Sequence, residues 1–326
     1  MASSEVRPSS CGRRLASGRD DLVPNDSTCM NNGIMRAVDQ IAKGAGRLGL
    51  PLYSCASSKR TYTQHQLLVL VVLRQLMARS YRGLVDIVAT MSPLLWRLRL
   101  DRMPHFTTLQ KFSLRIELEA IERVLAAIAA SATGDALVVA VDSTGLRETS
   151  ASYYFMRTMS LRRDSSGTEE RRVGRHLKHT VAVSTATLMI LASSSAPGPG
   201  ADADKLVPVL DKLRGLGVAA VVGDKGYDSE SNRRFVVHEL GAEAHIPLRR
   251  NAKWAGEQHG RYRRRQLAAF DQAIYDRRPL SETTHASEKR TMDDLVRARL
   301  PDGKRNEVAE RDLAYNARRA AALEGG

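Results

Sequence analysis

Three carboxylates stand where an acid is either costly or conspicuously placed. Asp142 closes the apolar run Ala136-Leu137-Val138-Val139-Ala140-Val141, and Asp224 follows a second run, Val218-Ala219-Ala220-Val221-Val222, after a single glycine. Runs of this kind form strands buried on both faces, and an acid at the end of one is tolerated where it binds a cation or caps a turn. Each aspartate taken alone also fits an Asx-turn. The third acid, Glu282, lies among Tyr275, Arg278 and Lys289, at successive offsets of 3, 4 and 7 residues. At about 100° per residue the four fall within roughly 60° of one helical face. One acid between two bases suits a metal ion held by Glu282 while Arg278 and Lys289 grip phosphate oxygens. The same stripe also fits a solvated face with an i, i+4 Arg–Glu pair. Three convergent carboxylates would bind two divalent cations about 4 Å apart, one activating an attacking oxygen and one stabilising a leaving oxygen at phosphorus.

The elements that must position these acids follow in chain order. Residues 1–30 are rich in Ser, Arg, Asp and Gly without periodicity and read as a disordered tail. Residues 31–132 read as a helical domain. Leu67, Leu70, Val71, Leu73, Leu76 and Met77 form one face, Pro93 and Pro104 punctuate the run, and Thr107 is the expected N-cap of a helix through Arg115. A further helix is expected over about 117 to 131. From Gly134 the order changes to strand, hairpin (His179 to Thr185 and Leu188 to Ser193), helix with Pro208, strand, a helix capped by Ser229, and a short strand over 242–247. That order makes residues 133–326 an α/β domain, a mixed sheet with helices on its faces. A last helix, Asn306 to Leu323, is expected to pack back through Val308, Leu313, Ala314 and Tyr315.

Composition points to the partner. The 326 residues carry a net charge of +14 and an isoelectric point near 10.0, which implies a polyanion, because each Lys or Arg that replaces a condensed counterion on nucleic acid is rewarded; ribosomal-type or membrane-surface binding fits the charge equally well. Residues 59–115 hold ten Lys or Arg against Asp86 and Asp101. This fits a DNA-binding helical domain or a packing module kept soluble by arginines. A second basic stretch, Arg249, Arg250, Lys253, Arg261, Arg263, Arg264 and Arg265 with Trp254 and Tyr262 interleaved, reads as a groove for DNA backbone with stacking residues, in preference to a merely solvated loop. Cys11, Cys29 and Cys55 are widely spaced and odd in number, which indicates neither a disulfide framework nor a zinc knuckle and suits a reducing cytosol. The longest apolar run is broken by Arg74 and Gln75, so no membrane span is expected.

Asp142 in VDSTG, Asp224 in GDKGYDS and the spaced Tyr275, Arg278, Glu282 and Lys289 resemble the DDE transposases of bacterial and archaeal insertion sequences. The Tyr-Arg-Glu-Lys spacing is similar to the IS-four and IS-five superfamily, closer to its IS-five branch, with a ribonuclease-H-like catalytic domain. Gly198-Pro199 before Asp202, Tyr81-Arg82 before Leu84-Val85-Asp86, and Leu313-Ala314-Tyr315-Asn316 extend the likeness over about 60 to 320. The resemblance implies that Asp142, Asp224 and Glu282 hold two Mg²⁺ ions, with Mn²⁺ as substitute. It implies hydrolysis at the inverted-repeat ends of an element and attack of the freed 3′ hydroxyl on target DNA, in a synaptic homodimer, in the cytoplasm on the nucleoid. Arg278 and Lys289 would hold backbone phosphate, and Tyr275 would bond a phosphate or pack against a displaced base. The alternative is a transposase-derived DNA-binding protein without chemistry.

Two features strain the pattern. Pro279 implies that the helix begins near Arg278 with the proline in its first turn, which removes Tyr275 from the stripe, or that the helix kinks there. Glu288, beside Lys289, is about 120° from Glu282 on a helix and reads as solvated; Asp202, Asp228 and Asp271 read as turn or surface acids.

Overall fold

The computed structural model describes residues 33–131, 134, 136–148, 176–198, 200–249 and 260–325. The expected tail and three of the basic-stretch residues, Arg250, Lys253 and Trp254, lie outside them.

Six helices come first: α1 (Gly33–Arg47), α2 (Gln64–Leu76), α3 (Tyr81–Val88), α4 (Ser92–Arg97), α5 (Phe106–Arg115) and α6 (Leu118–Ala130). Thr63 caps α2 in a capping box with Gln66, and the α2 residues from His65 to Gln75 are all buried. A helix apolar on every side belongs in a core, which explains why its sequence pattern is dense rather than striped. The cap of α5 is His105, not Thr107. His105 has extended backbone after Pro104 and its ring accepts from the Thr107 amide, so Thr107 already lies inside the first turn.

The sheet contains six strands among the described residues: β1 (Leu137–Glu148), β2 (His176–Ser184), β3 (Ile190–Pro197), β4 (Val218–Gly223), β5 (Glu243–His245) and β6 (Leu295–Val296). Its order is β3-β2-β1-β4-β5, with β6 added to the far end of β1. The expected hairpin is present as antiparallel β2 and β3, while β4 lies parallel to β1 and β5 parallel to β4. Helices α7 (Ala203–Leu210), α8 (Glu230–His238), α9 (Arg261–Ala269), α10 (Gln272–Tyr275), α11 (Pro279–Met292) and α12 (Pro301–Leu323) complete the chain. Helix α7 retains Pro208 in its interior, and Ser229 caps α8 as expected.

Helix α12 is the spine. It is buried without a break from Asn306 to Ala317, so its charges cannot reach water and must be paired inside the protein. Arg74 of α2 bonds Glu307 at 3.2 Å and Glu310 at 3.3 Å, and Ser113 of α5 donates to Glu310 at 2.5 Å. Toward the sheet, Asn316 bonds both the amide and the carbonyl of Ile190, and Tyr315 donates to the Leu188 carbonyl at 3.0 Å. The Tyr81 ring of the Tyr81-Arg82 pair lies 4.3 Å under the Arg74 guanidinium. One continuous apolar core runs from α1 through the sheet to Ala320. Val308 is the exception, joining Leu146, Leu177 and Val296 in a smaller cluster.

Candidate active site

The register of β1 and β4 brings the two aspartates side by side. Val141 pairs with Gly223 in the parallel ladder, so the next residue on each strand is an aspartate, Asp142 beside Asp224. Strand β1 does not end at Asp142, as its apolar run suggested, but continues to Glu148 because β2 pairs with it through Arg147. The acid therefore sits mid-strand, at the point where its parallel neighbour stops, which is where ligands bind in sheets of this kind.

Local chemistry fixes both acids. Asp224 caps a short 3-10 turn by accepting from the Gly226 amide at 2.6 Å. A Cβ on Gly226 would lie 2.7 Å from the Asp224 carboxylate and 3.1 Å from that of Asp202, so a larger residue here would push both carboxylates aside. Tyr227, one residue on, is buried and its hydroxyl meets Ser143 at 2.7 Å, which in turn meets Thr180 at 2.7 Å. This chain of hydroxyls ties the Asp224 loop to the residue after Asp142. Tyr227 and Ser143 escaped the sequence reading, although both lie within the GDKGYDS and VDSTG motifs.

Helix α11 brings the third acid. Pro279 is its first residue and Arg278 its N-cap, so Tyr275 leaves the stripe and belongs to α10, where its ring packs 5.4 Å from Phe270. Arg278, Glu282 and Lys289 remain on one side. Arg278 bonds the largely exposed Glu282 at 2.5 Å, and Lys289 donates to Thr144 of β1 at 2.5 Å. Glu282 and Asp224 both act on Asp142. Partial burial raises the Asp142 pKa to about 6, and repulsion from Glu282 and Asp224 adds to it, against the lowering effects of the Ser143 amide and Arg278. Glu282 and Asp224 are thus both near enough to Asp142 to hold its proton more tightly. An oxygen-only donor set of this kind fits a hard divalent cation.

The opposite face of α11 corrects the sequence reading. Glu288 is not solvated: it is 1% exposed and pairs with Arg311 of α12 at 3.2 Å. The inward row Ser281, Thr284, His285, Glu288 and Met292 is buried against the sheet and α12, a face the charged sequence does not advertise. There His179 meets Asp312 at 2.9 Å, and the His285 ring stands edge-on to His179 with centroids 5.8 Å apart. His285 also reaches the Asp142 carbonyl at 3.5 Å. Burial alone would depress His179, but the Asp312 carboxylate outweighs it and the pKa is raised. His285, with burial and the neighbouring His179 charge both acting against protonation, falls to about 3. Ligand atoms of His179, Glu288 and Asp312 lie within 4.8 Å of one another. Of the three, Arg311 pairs with Glu288 alone, and a group of one imidazole and two carboxylates is also compatible with a metal ion.

The basic residues divide. Arg249 and Arg264 are exposed. Arg263 is not available as a surface contact: it is buried, and its guanidinium bonds Asp228 at 3.0 Å. Asp228 also holds Arg233 at 2.9 Å and the Arg249 amide at 2.8 Å, so it is a buried clamp rather than the turn or surface acid expected. Tyr262 packs edge-on against His238. Asp271 caps α10, in keeping with a turn role, and Asp202 pairs with Lys178.

A mixed sheet with two aspartates at adjacent strand positions, a glutamate on a late helix and an all-helical region in front defines a ribonuclease-H-like DDE enzyme. Residues 133–317 match the family model for the transposase DDE domain, and the chain belongs to that family. A comparison with curated proteins finds no match. Family membership assigns transposase activity, DNA as substrate and use of a divalent metal ion. No helix among the described residues is long and apolar enough to cross a membrane.

Proposed function

We propose that the protein is a DNA transposase of the IS-five-like branch of the IS-four and IS-five superfamily, cleaving phosphodiester bonds at insertion-sequence ends and joining the 3′ hydroxyl to target DNA. The observation that carries this reading is the Val141–Gly223 register, which sets Asp142 beside Asp224, with burial and then Glu282 on α11 raising the Asp142 pKa. Asp142, Asp224 and Glu282 would hold two Mg²⁺ ions, or Mn²⁺ in their place. Bound there, the ions supply activation of the attacking oxygen and charge stabilisation of the leaving oxygen.

The chain's own residues do the positioning. Arg278 exchanges its contact with Glu282 for a DNA phosphate, which leaves the glutamate free to turn toward the two aspartates. Lys289, held by Thr144 and without a carboxylate partner in that contact, presents its ammonium to the same backbone. Tyr275 supports Arg278 from α10. Arg249 and Arg264, with Arg250 and Lys253 from the adjoining stretch, extend the positive surface for DNA. Residues 31–132 serve as the DNA-binding domain and 133–326 as the catalytic domain. Two ends joined to one target call for a homodimer in the synaptic complex, working in the cytoplasm on the nucleoid.

The test is incubation of purified protein with DNA carrying the element's ends and Mg²⁺ or Mn²⁺, beside Asp142→Asn. Metal-dependent nicking by the unsubstituted protein and its loss in the variant are expected. Binding that leaves both strands intact with every divalent metal would replace this reading with that of a transposase-derived DNA-binding protein.

A further inference from the structure

A fourth carboxylate stands beside the acids already described. Asp202 occupies the N-cap position of α7, yet its side chain makes no capping bond there. An aspartate in that place ordinarily accepts from an amide of the first helical turn. Here the carboxylate serves something outside its own helix. The point that a Cβ on Gly226 would occupy lies 2.7 Å from Oδ1 of Asp224 and 3.1 Å from Oδ2 of Asp202. Two carboxylates therefore flank one glycine, on the loop that leaves β4 beside Asp142.

One oxygen of Asp202 is already taken. Lys178 of β2 pairs with Oδ1 and also donates to the Gly200 carbonyl at 2.5 Å. Oδ2, the oxygen toward Gly226, receives no hydrogen bond among the described residues. The Asp202 side chain is 37% exposed against 13% for Lys178, so the acid rather than the base keeps access to a hydrated ion. The Tyr227 phenol marks the convergence. Burial pushes its pKa up, the Ser143 hydrogen bond opposes this, and the charges of Asp142, Asp202 and Asp224 push it further up. Three carboxylates, from β1, from the head of α7 and from the end of β4, thus act on one hydroxyl. Acids gathered in this way repel one another, and a divalent cation relieves the repulsion. Lys178 offsets only one of the charges.

We infer that Asp202 is a fourth acid of the divalent-metal site, a positioning residue whose Oδ2 bonds the water shell of the ion at Asp224 while Lys178 occupies its other oxygen. The inference rests on the reading of Asp142, Asp224 and Glu282 as metal ligands and adds a residue that this set does not contain. Mg²⁺ dehydrates reluctantly and keeps several waters beside its one or two protein carboxylates, so acids that bond those waters contribute to its grip.

The experiment titrates the full chain with MnCl₂ by calorimetry in the absence of DNA. Asp202→Asn, which keeps the shape of the side chain and removes its charge, is expected to weaken Mn²⁺ affinity about tenfold. Lys178→Met breaks the same ion pair but leaves the carboxylate, and is expected to leave the affinity nearly unchanged. Were the pair only a fastening between α7 and β2, the two variants would act alike, so an equal effect on affinity overturns the inference. A second readout needs no variant. With Fe²⁺ and ascorbate in place of Mn²⁺, radicals made at the bound ion should cut the unsubstituted chain around Asp202 as well as around Asp142 and Asp224. Cuts at the two strand ends without one near Asp202 overturn the inference. Weaker binding in Asp142→Asn with unchanged binding in Asp202→Asn sinks the fourth acid and leaves the three-acid site standing. No Mn²⁺ binding by the unsubstituted protein sinks the metal-site reading itself, and the inference with it.

Discussion

Glu282 and Glu288 occupy the same helix, and their surroundings give them opposite roles. Glu288 faces α12 in the interior, where Arg311 neutralises it and His179 and Asp312 complete a set of paired charges. Glu282 faces outward, where Arg278 contacts it and it adds to the repulsion that Asp142 meets. The difference teaches that an acid is not a ligand by type. A buried carboxylate must be neutralised by the protein itself, whereas a half-exposed group of carboxylates can keep its charge for a cation.

The sharpest way to break this contrast is Arg311→Met, which strands Glu288 in the interior. A loss of about 3–5 kcal/mol in urea-unfolding stability is expected; a loss below about 1 kcal/mol would mean that the inner face is not an ion-pair core. Glu282→Gln should do the reverse. Cleavage is expected to fall more than about 100-fold, beyond the effect typical of groups that only orient metal ligands. Its folding stability should stay within about 0.5 kcal/mol, as for a surface pair. Equal effects of the two substitutions on stability would erase the distinction.

The raised pKa of Asp142 gives a third, smaller effect. Because its folded-state value of about 6 lies above the ordinary 3.8, the folded protein binds this proton more tightly than the unfolded chain. The contribution is complete at low pH and is lost as pH rises from 3.8 toward about 6. Metal competes with the same proton, so Mg²⁺ affinity measured by calorimetry should weaken by about tenfold per pH unit below that pKa. Asp142→Asn should lack the stability decline and, at neutral pH, melt slightly higher than the unsubstituted protein while failing to cleave. A flat profile in the unsubstituted protein would show that burial does not hold the Asp142 carboxyl above its ordinary range. The smallest effect is expected at Thr144→Val, which removes the Lys289 contact and should weaken DNA binding by a few-fold, about 1 kcal/mol or less.

Local chemistry was legible in the sequence. Apolar runs ending in an acid marked β1 and β4, Pro279 marked the start of α11 and the removal of Tyr275 from its stripe, and Ser229 marked a cap. These signals act over a few residues, through backbone geometry and strand periodicity, so they survive without knowledge of the partner. The caps and strand ends that depend on neighbours were less visible. His105 replaced Thr107 because Pro104 places the turn two residues earlier, and β1 outran its apolar run because β2 continued to pair with it.

The sequence by itself determined the residue types of the site, the spacing of Arg278, Glu282 and Lys289, and the large positive charge. Only the tertiary structure decided which acids face outward. Glu288, Asp228 and Arg263 look like surface charges in one dimension, and their burial follows from Arg311, Arg233 and α12, which are distant or differently placed along the chain. The register that sets Asp142 beside Asp224 is likewise a property of two paired strands, because a carboxylate's environment is made by groups the local sequence does not contain.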